Sequence, residues 1–424
     1  MTDAGLAATL FPTHTMANGL RIVAQPMGGV ESCALGFCVA TGSRDETPSQ
    51  AGISHFIDSL AYQGTARRDV RALTESFEDL GARHDAGAGT ELFWYTAQAL
   101  GRELEGLVPL LAEVVRMPRF DPDEAEKVRD RLLQELAQLE DEPMQKIFEV
   151  LQTTFFAGHP YGNSSLGNEE TIRALGSEDL RAHWGRTQRP NNTIVAAAGK
   201  FQFDALVRAV EAACGEWEPD DVPPLPAAPA IPSGARALSL TRESNQQHIA
   251  VGLNGVAVGD PDYYAVALLG TILGGSMNSR LFTEVREKRG LAYGVGAYPG
   301  SLRDSGIIRI YAGTTPPKAH ETVEVIFAEL RKLEDAGVAE DELARAKTLL
   351  KSRVIMGGER TGGRRSVIGS SLWYEGKVRT LDESRALIES VNTAQILAMV
   401  RRLEFSTSHT LVTIGPHTAE ELLA

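Results

Sequence analysis

Apolar residues recur along this chain with two different periods, and the switches between them mark out its elements. ALGFCVATG, residues 34–42, is an almost unbroken run of small and apolar residues, the signature of a strand ahead of a turn-rich segment. GISHFIDSLAYQGT, residues 52–65, changes to helical spacing, with apolar positions three and four apart. LTESFEDLGARHDAGAGTELFWYTAQAL then reads as a helix, a glycine break and a hairpin, and DEAEKVRDRLLQEL as an amphipathic helix with acids in its first turn. Near the start, Asn18-Gly19 ahead of LRIVAQ predicts a hairpin turn, because that dipeptide tolerates positive φ.

The same order of elements returns in the second half. HIAVGLNGVAVGDPDYYAVALLGTILGG repeats strand, turn region and helix, FTEVREKRGLAYGVGAYPGSLRDSGIIRIYAGT repeats helix, glycine and hairpin, and DELARAKTLLKSRV repeats the acid-capped amphipathic helix. Three consecutive matches predict a duplicated unit with a long repeat, not a short-period solenoid. Between the halves, EWEPDDVPPLPAAPAIPSGARA denies both helix and sheet through its prolines. The expected organisation is therefore an N-terminal domain at 1–215, a proline-rich linker at 216–237 and a homologous C-terminal domain at 238–424. Strands come in adjacent runs and helices in blocks, which predicts an α+β fold: two domains, each an antiparallel-rich sheet with helices packed on one face.

Bulk properties narrow the function classes. A chain of 424 residues exceeds one ordinary core. The net charge of −14 and pI of about 5.2 disfavour a phosphate-neutralising surface, so no nucleic-acid partner is expected. No apolar run approaches the roughly 18 residues of a transmembrane segment. Asp3 and the lack of a basic n-region argue against a signal peptide. A soluble, cytoplasmic protein is expected, or a periplasmic one if a signal has been removed. Three cysteines form no disulfide framework. Cys33 and Cys38 fall on opposite faces of one strand and are expected as buried free thiols.

The helix at 52–65 carries the first candidate chemistry. In an inverted zincin, H-x-x-E-H puts two imidazoles on one helix face to ligate zinc, while the intervening glutamate activates the metal-bound water. Here the first histidine is His55, Asp58 stands for the glutamate and Ser59 for the second histidine. Gly52, His55, the Asp58-Ser59 pair and Gly64-Thr65 nonetheless resemble the G-x-x-H-x-x-E-H-x-x-x-x-G-T block of the pitrilysin, insulysin and mitochondrial processing peptidase family. The resemblance continues through LGARHDAGAGTELFWYTAQA, similar to that family's edge hairpin, and LLQELAQLEDEP, similar to its helix bearing a third ligand, here Glu135. It runs on through the stretch that opens at His159-Pro160-Tyr161-Gly162, and through LLGTILGGSMNSRLFTEVREKRGLAYGV. His55 and Glu135 would be two ligands where catalytic zinc takes three plus water. Ser59 is a weak neutral ligand, Asp58 is one methylene short, and Val128 replaces a further acid. No metal is expected in this chain, and His55, Asp58, Ser59 and Glu135 are the degenerate positions.

R-E-K-R-G-L-A-Y resembles a second feature of the family. In its single-chain members an Arg and a Tyr at this separation reach from the zinc-less half to the substrate carbonyl beside the metal. The resemblance assigns those roles, catalytic and substrate-binding, to Arg286 and Tyr293. Attack on a peptide carbonyl builds negative charge that a guanidinium and a phenol can stabilise. Gly270, Gly274 and Gly275 resemble the glycine-rich loop of the processing peptidase, which implies substrate binding at Gly274 and Gly275. A close helix–backbone approach explains these glycines equally well.

The resemblance thus implies half of a clamshell, the zinc-less subunit of a bacterial-type heterodimer. Its expected partners are a homologous zinc-bearing peptidase subunit and an unfolded peptide captured at a sheet edge. The rival readings are a structural subunit like the core proteins of a respiratory complex and a self-sufficient peptidase with a reduced metal site.

Overall fold

A computed structural model of the chain describes residues 10–222 and 234–424. Of the proline-rich tract expected as a linker at 216–237, residues 223–233 lie outside the described residues. The chain forms two compact units: Met1–Ala137 with Asn163–Ala227 and Met356–Thr380, and Gln138–Gly162 with Ala228–Ile355 and Leu381–Ala424.

The first unit is built on strands β1 (Thr13–Thr15), β2 (Arg21–Pro26), β3 (Ser32–Val39), β4 (Arg83–Ala88), β5 (Phe93–Leu100) and β6 (Thr193–Gly199), in the order β1-β2-β6-β3-β5-β4. The second is built on β7 (Arg236–Thr241), β8 (Gln247–Asn254), β9 (Ala292–Ser301), β10 (Gly306–Thr314) and β11 (His409–Gly415), in the order β7-β11-β8-β10-β9. Without β1 the two orders correspond strand for strand. The parallel pairs, β2–β6 and β7–β11, occupy equivalent places. The other described pairings are antiparallel. Duplication and antiparallel-rich character are thus properties of the fold. The Asn18-Gly19 turn joins β1 to β2, with Gly19 at φ 85°.

Central strands β6 and β11 are buried along their whole length, because both faces of each sheet are covered. On the main face of the first sheet Ile22, Leu35, Phe37, Tyr95 and Val195 pack against the helices Ile53–Leu60, Leu104–Arg116 and Phe203–Cys214. On the other face Val23, Cys38, Ile194 and Ala196 meet Ile368 and Leu372 of one helix, Thr361–Glu375. Cys33 and Cys38 fall in these two different clusters, both as buried free thiols.

The second sheet repeats the plan. Ile249, Val251, Ile308 and Ile310 face the helices Tyr263–Gly274 and Ala319–Ala336. Ala250, Ile307, Tyr311 and Val412 face the single helix Pro143–Phe155. Most helices of each unit lie on one side, as the element pattern predicts. The lone helix on the second side comes from the other half of the sequence, a placement that local periodicity does not encode. Among the described residues no helix is long and apolar enough to cross a membrane.

Candidate functional site

Gly52 opens the helix Ile53–Leu60 with φ 87°, a left-handed conformation that disfavours a side chain. Glu46 caps this end: Oε2 accepts from the Gly52 N–H at 2.7 Å and Oε1 from the Ser54 N–H at 2.9 Å. Glu46 is buried, and desolvation raises its pKa to about 7 against the opposing pull of these hydrogen bonds. Nothing in the motif itself singles out Glu46; the available signal is an acid shortly before a helix whose first turn lacks one.

His55, Asp58, Ser59 and Glu135 come together on this helix and on Pro122–Asp141. Both ring nitrogens of His55 face acids. Nδ1 lies 3.2 Å from Asp58 Oδ1 and 3.4 Å from Oδ2, and Nε2 lies 3.2 Å from Glu135 Oε2. Burial pulls the imidazole pKa down, but hydrogen bonding and charge from Asp58, then from Glu135, outweigh it and raise the value to about 9. An imidazolium therefore occupies the centre of the group at neutral pH.

Asp58 is already engaged by three donors. Its Oδ2 accepts from the Ala88 N–H of β4 at 2.8 Å, and its Oδ1 accepts from the Ser59 hydroxyl at 3.3 Å, besides the His55 contact. Arg131, on the Pro122–Asp141 helix, donates to the Ser59 carbonyl at 3.1 Å and brings a fixed positive charge beside the group. Val128 is buried in the main core.

These residues do not fit a catalytic zinc. Binding requires neutral imidazole, so a pKa of about 9 costs roughly 10² in affinity at pH 7. Among the described residues no three His, Cys, Asp or Glu side chains are placed to hold a metal ion.

The ion group has a pH signature. Because the folded pKa is above the ordinary histidine value, its contribution to stability is complete below about pH 6.5 and is lost as pH rises through about 9. A nuclear magnetic resonance titration should find His55 charged at pH 7.5, and Asp58→Asn should lower its midpoint by roughly one to two units. A His55 midpoint near 6.5 in the native chain would refute the clamped imidazolium.

Arg286 and Tyr293 lie in the second unit. Residues Phe282–Glu287 wind as a π-turn, seen in the Lys288 N–H bond to the Thr283 carbonyl at 3.0 Å. Such turns are frequent at functional sites. Glu284 takes both neighbouring cations, Lys288 and Arg289, at 2.6 Å each. Arg286 remains exposed, its guanidinium 4.9 Å from the centre of the Phe282 ring, with no ion pair among the described residues. Tyr293 is 53% exposed on β9, the outermost strand of its sheet. Gly274 packs the helix Tyr263–Gly274 against this same strand: a Cβ there would lie 2.0 Å from the Ala297 nitrogen. The Gly275 carbonyl accepts from the Arg353 guanidinium.

Two sheets of one strand order, each with its helices, define a duplicated α+β architecture. Residues 21–169 match the family described as Insulinase (Peptidase family M16), and residues 174–350 match the Peptidase M16 inactive domain. An uncharacterized zinc protease of Bacillus subtilis, YmxG, is 31% identical over 95% of this chain and 98% of its own. The fold is similar to a protease from Helicobacter pylori, with a TM-score of 0.89 and 20% identity over 96% of this chain and 99% of that one. It is also similar to a peptidase M16 inactive domain from Pseudomonas fluorescens, with a TM-score of 0.86 and 23% identity over 96% of this chain and 98% of that one. The chain belongs to peptidase family M16.

Proposed function

We propose that this chain is the non-zinc-binding subunit of a heterodimeric M16 peptidase. The observation that carries the reading is a contrast. The acids and imidazole of the zinc motif face one another, while Arg286 has no ion pair among the described residues and Tyr293 is exposed on an outer strand. A homologous partner supplies zinc and its water. This chain supplies the guanidinium of Arg286 and the hydroxyl of Tyr293, which donate hydrogen bonds to the peptide carbonyl oxygen as negative charge grows there. Gly274, packed against the same strand, and its neighbour Gly275 belong to the substrate-binding surface in this reading. Among the described residues strand β9 has one unpaired edge, where an extended, unfolded peptide can add as a further strand.

The test mixes the chain with a zinc-bearing homologue from the same organism and titrates cleavage of an unstructured peptide. Activity well above the sum of the separate chains, saturating at one-to-one stoichiometry, is expected. Strict additivity across the titration contradicts the reading.

A further inference from the structure

Tyr293 sits where β9 and β10 lose register. Gly313 pairs with Gly294 and Thr314 with Ala292, so Tyr293 is the extra residue of a β-bulge. In a regular strand Tyr293 would share the face of Val295 and Ala297, which lines the main core. A bulge shifts the side chain onto the other face, and Tyr293 there approaches Tyr311, which in turn meets His248. A Cβ at Gly313 would lie 2.6 Å from Tyr293 Oη and 2.9 Å from Tyr311 Oη, so the two hydroxyls converge over a residue that has no side chain.

Two hydrogen bonds and one close approach link this group. The Tyr293 hydroxyl donates to Gln246 Oε1 at 3.1 Å, His248 Nδ1 lies 2.9 Å from Tyr311 Oη, and the hydroxyls of Tyr293 and Tyr311 converge over Gly313. Tyr311 and His248 are only 4% and 5% exposed, whereas Gln246 is at the surface.

Counting protons fixes the direction of the chain. The Gln246 oxygen can only accept, so it takes the single proton of Tyr293. The Tyr293 oxygen is then left to accept, the converging Tyr311 hydroxyl is the donor that faces it, and with the Tyr311 proton so directed His248 Nδ1 donates to Tyr311. Burial, then the positive charge of Arg242, lowers the His248 pKa and keeps the ring neutral, with one N–H to place. The opposite polarity would spend the Tyr293 proton inward and leave none for a substrate.

We propose that His248 and Tyr311 are positioning residues that hold the Tyr293 proton outward, and that the Gln246 side-chain carbonyl occupies the acceptor position until a peptide carbonyl displaces it. The inference rests on the role proposed above for Tyr293. A bulge, a glycine beneath two hydroxyls and a buried histidine behind them have one arrangement in common: each keeps this phenol at the surface with its proton facing out. Donors linked in series also polarise one another, which strengthens the outermost bond.

The test has two arms. Nitrogen-15 resonance of histidine-labelled full-length chain reads the His248 tautomer without partner or substrate. Protonated Nδ1 is expected, with a shift toward the Nε2–H form in Tyr311→Phe, which retains the ring and removes the acceptor. A bare Nδ1 in the native chain overturns the inference. In the assembled peptidase, Tyr311→Phe should lower kcat roughly tenfold with KM nearly constant, and add little to the loss caused by Tyr293→Phe. If Tyr293→Phe costs turnover and Tyr311→Phe does not, the relay alone fails. If Tyr293→Phe costs nothing, the proposed role of Tyr293 fails and the relay's catalytic purpose with it.

Discussion

Replacing Tyr293 by Phe is expected to reduce turnover of the assembled peptidase by roughly 10²–10³, the cost of removing one oxyanion-hole donor. The ring stays, so the contact over Gly313 is retained and only one hydroxyl is lost. Tyr293 is 53% exposed, and the loss of its bond to surface Gln246 leaves no buried polar atom behind on the Gln246 side. Stability should fall by no more than about 1–3 kcal/mol, the cost of the buried Tyr311 hydroxyl losing its acceptor, and assembly and the partner's zinc content should not change. Arg286→Ala should cause a loss of the same order. It also removes the guanidinium stacked on Phe282, so its folding is to be checked independently. In both variants kcat should fall more than KM rises, since the interaction strengthens as charge develops on the carbonyl oxygen. Wild-type turnover in both properly assembled variants would make the pair structural.

The second large effect is a gain. Asp58→Glu combined with Ser59→His restores H-x-x-E-H on a helix whose His55 already meets Glu135 at 3.2 Å. The added imidazole, one helical turn from His55, completes two histidines and a glutamate, an established three-ligand set for zinc. It also competes with the proton on His55. The double variant should take up about one zinc per chain at neutral pH, whereas Asp58→Glu alone should remain metal-free because it adds no ligand. Removing Asp58 forfeits its bond to the Ala88 N–H of β4, a cost of about 1 kcal/mol. Metal analysis after dialysis against zinc checks this. A double variant that folds and stays empty would show that Arg131 and buried Val128, outside the motif, also exclude the ion.

Much of this arrangement was legible in the residues. Period-two and period-3.6 runs gave the strands and helices, and the recurrence of three elements in order gave the duplication that the equivalent strand orders display. Cys33 and Cys38 reached opposite faces through the strand's own alternation. The motif positions His55, Asp58, Ser59 and Glu135 are spaced so that the fold gathers them.

What escaped depends on contacts between distant segments. Nothing local in the helix Thr361–Glu375 says that it lies on the first sheet, and nothing in Pro143–Phe155 says that it lies on the second. The face on which Tyr293 emerges is set by a register shift against β10, so strand alternation alone places it on the wrong side. Glu46, Arg131, Tyr311 and His248 likewise acquire their roles only through partners remote in sequence, from the capped N–H groups of Gly52 and Ser54 to the hydroxyl of Tyr293. The glycines of GLAYGVGAYPG were the one available hint of irregular strand geometry.

The central claim, a zinc-less chain that completes another chain's active site, is tested most directly by native mass spectrometry of the complex purified from its source cell without chelators. The account predicts two non-identical subunits and one zinc per complex, with the zinc retained by the other chain on gentle dissociation. Zinc retained by this chain, or a complex of identical copies with full peptidase activity, would contradict it.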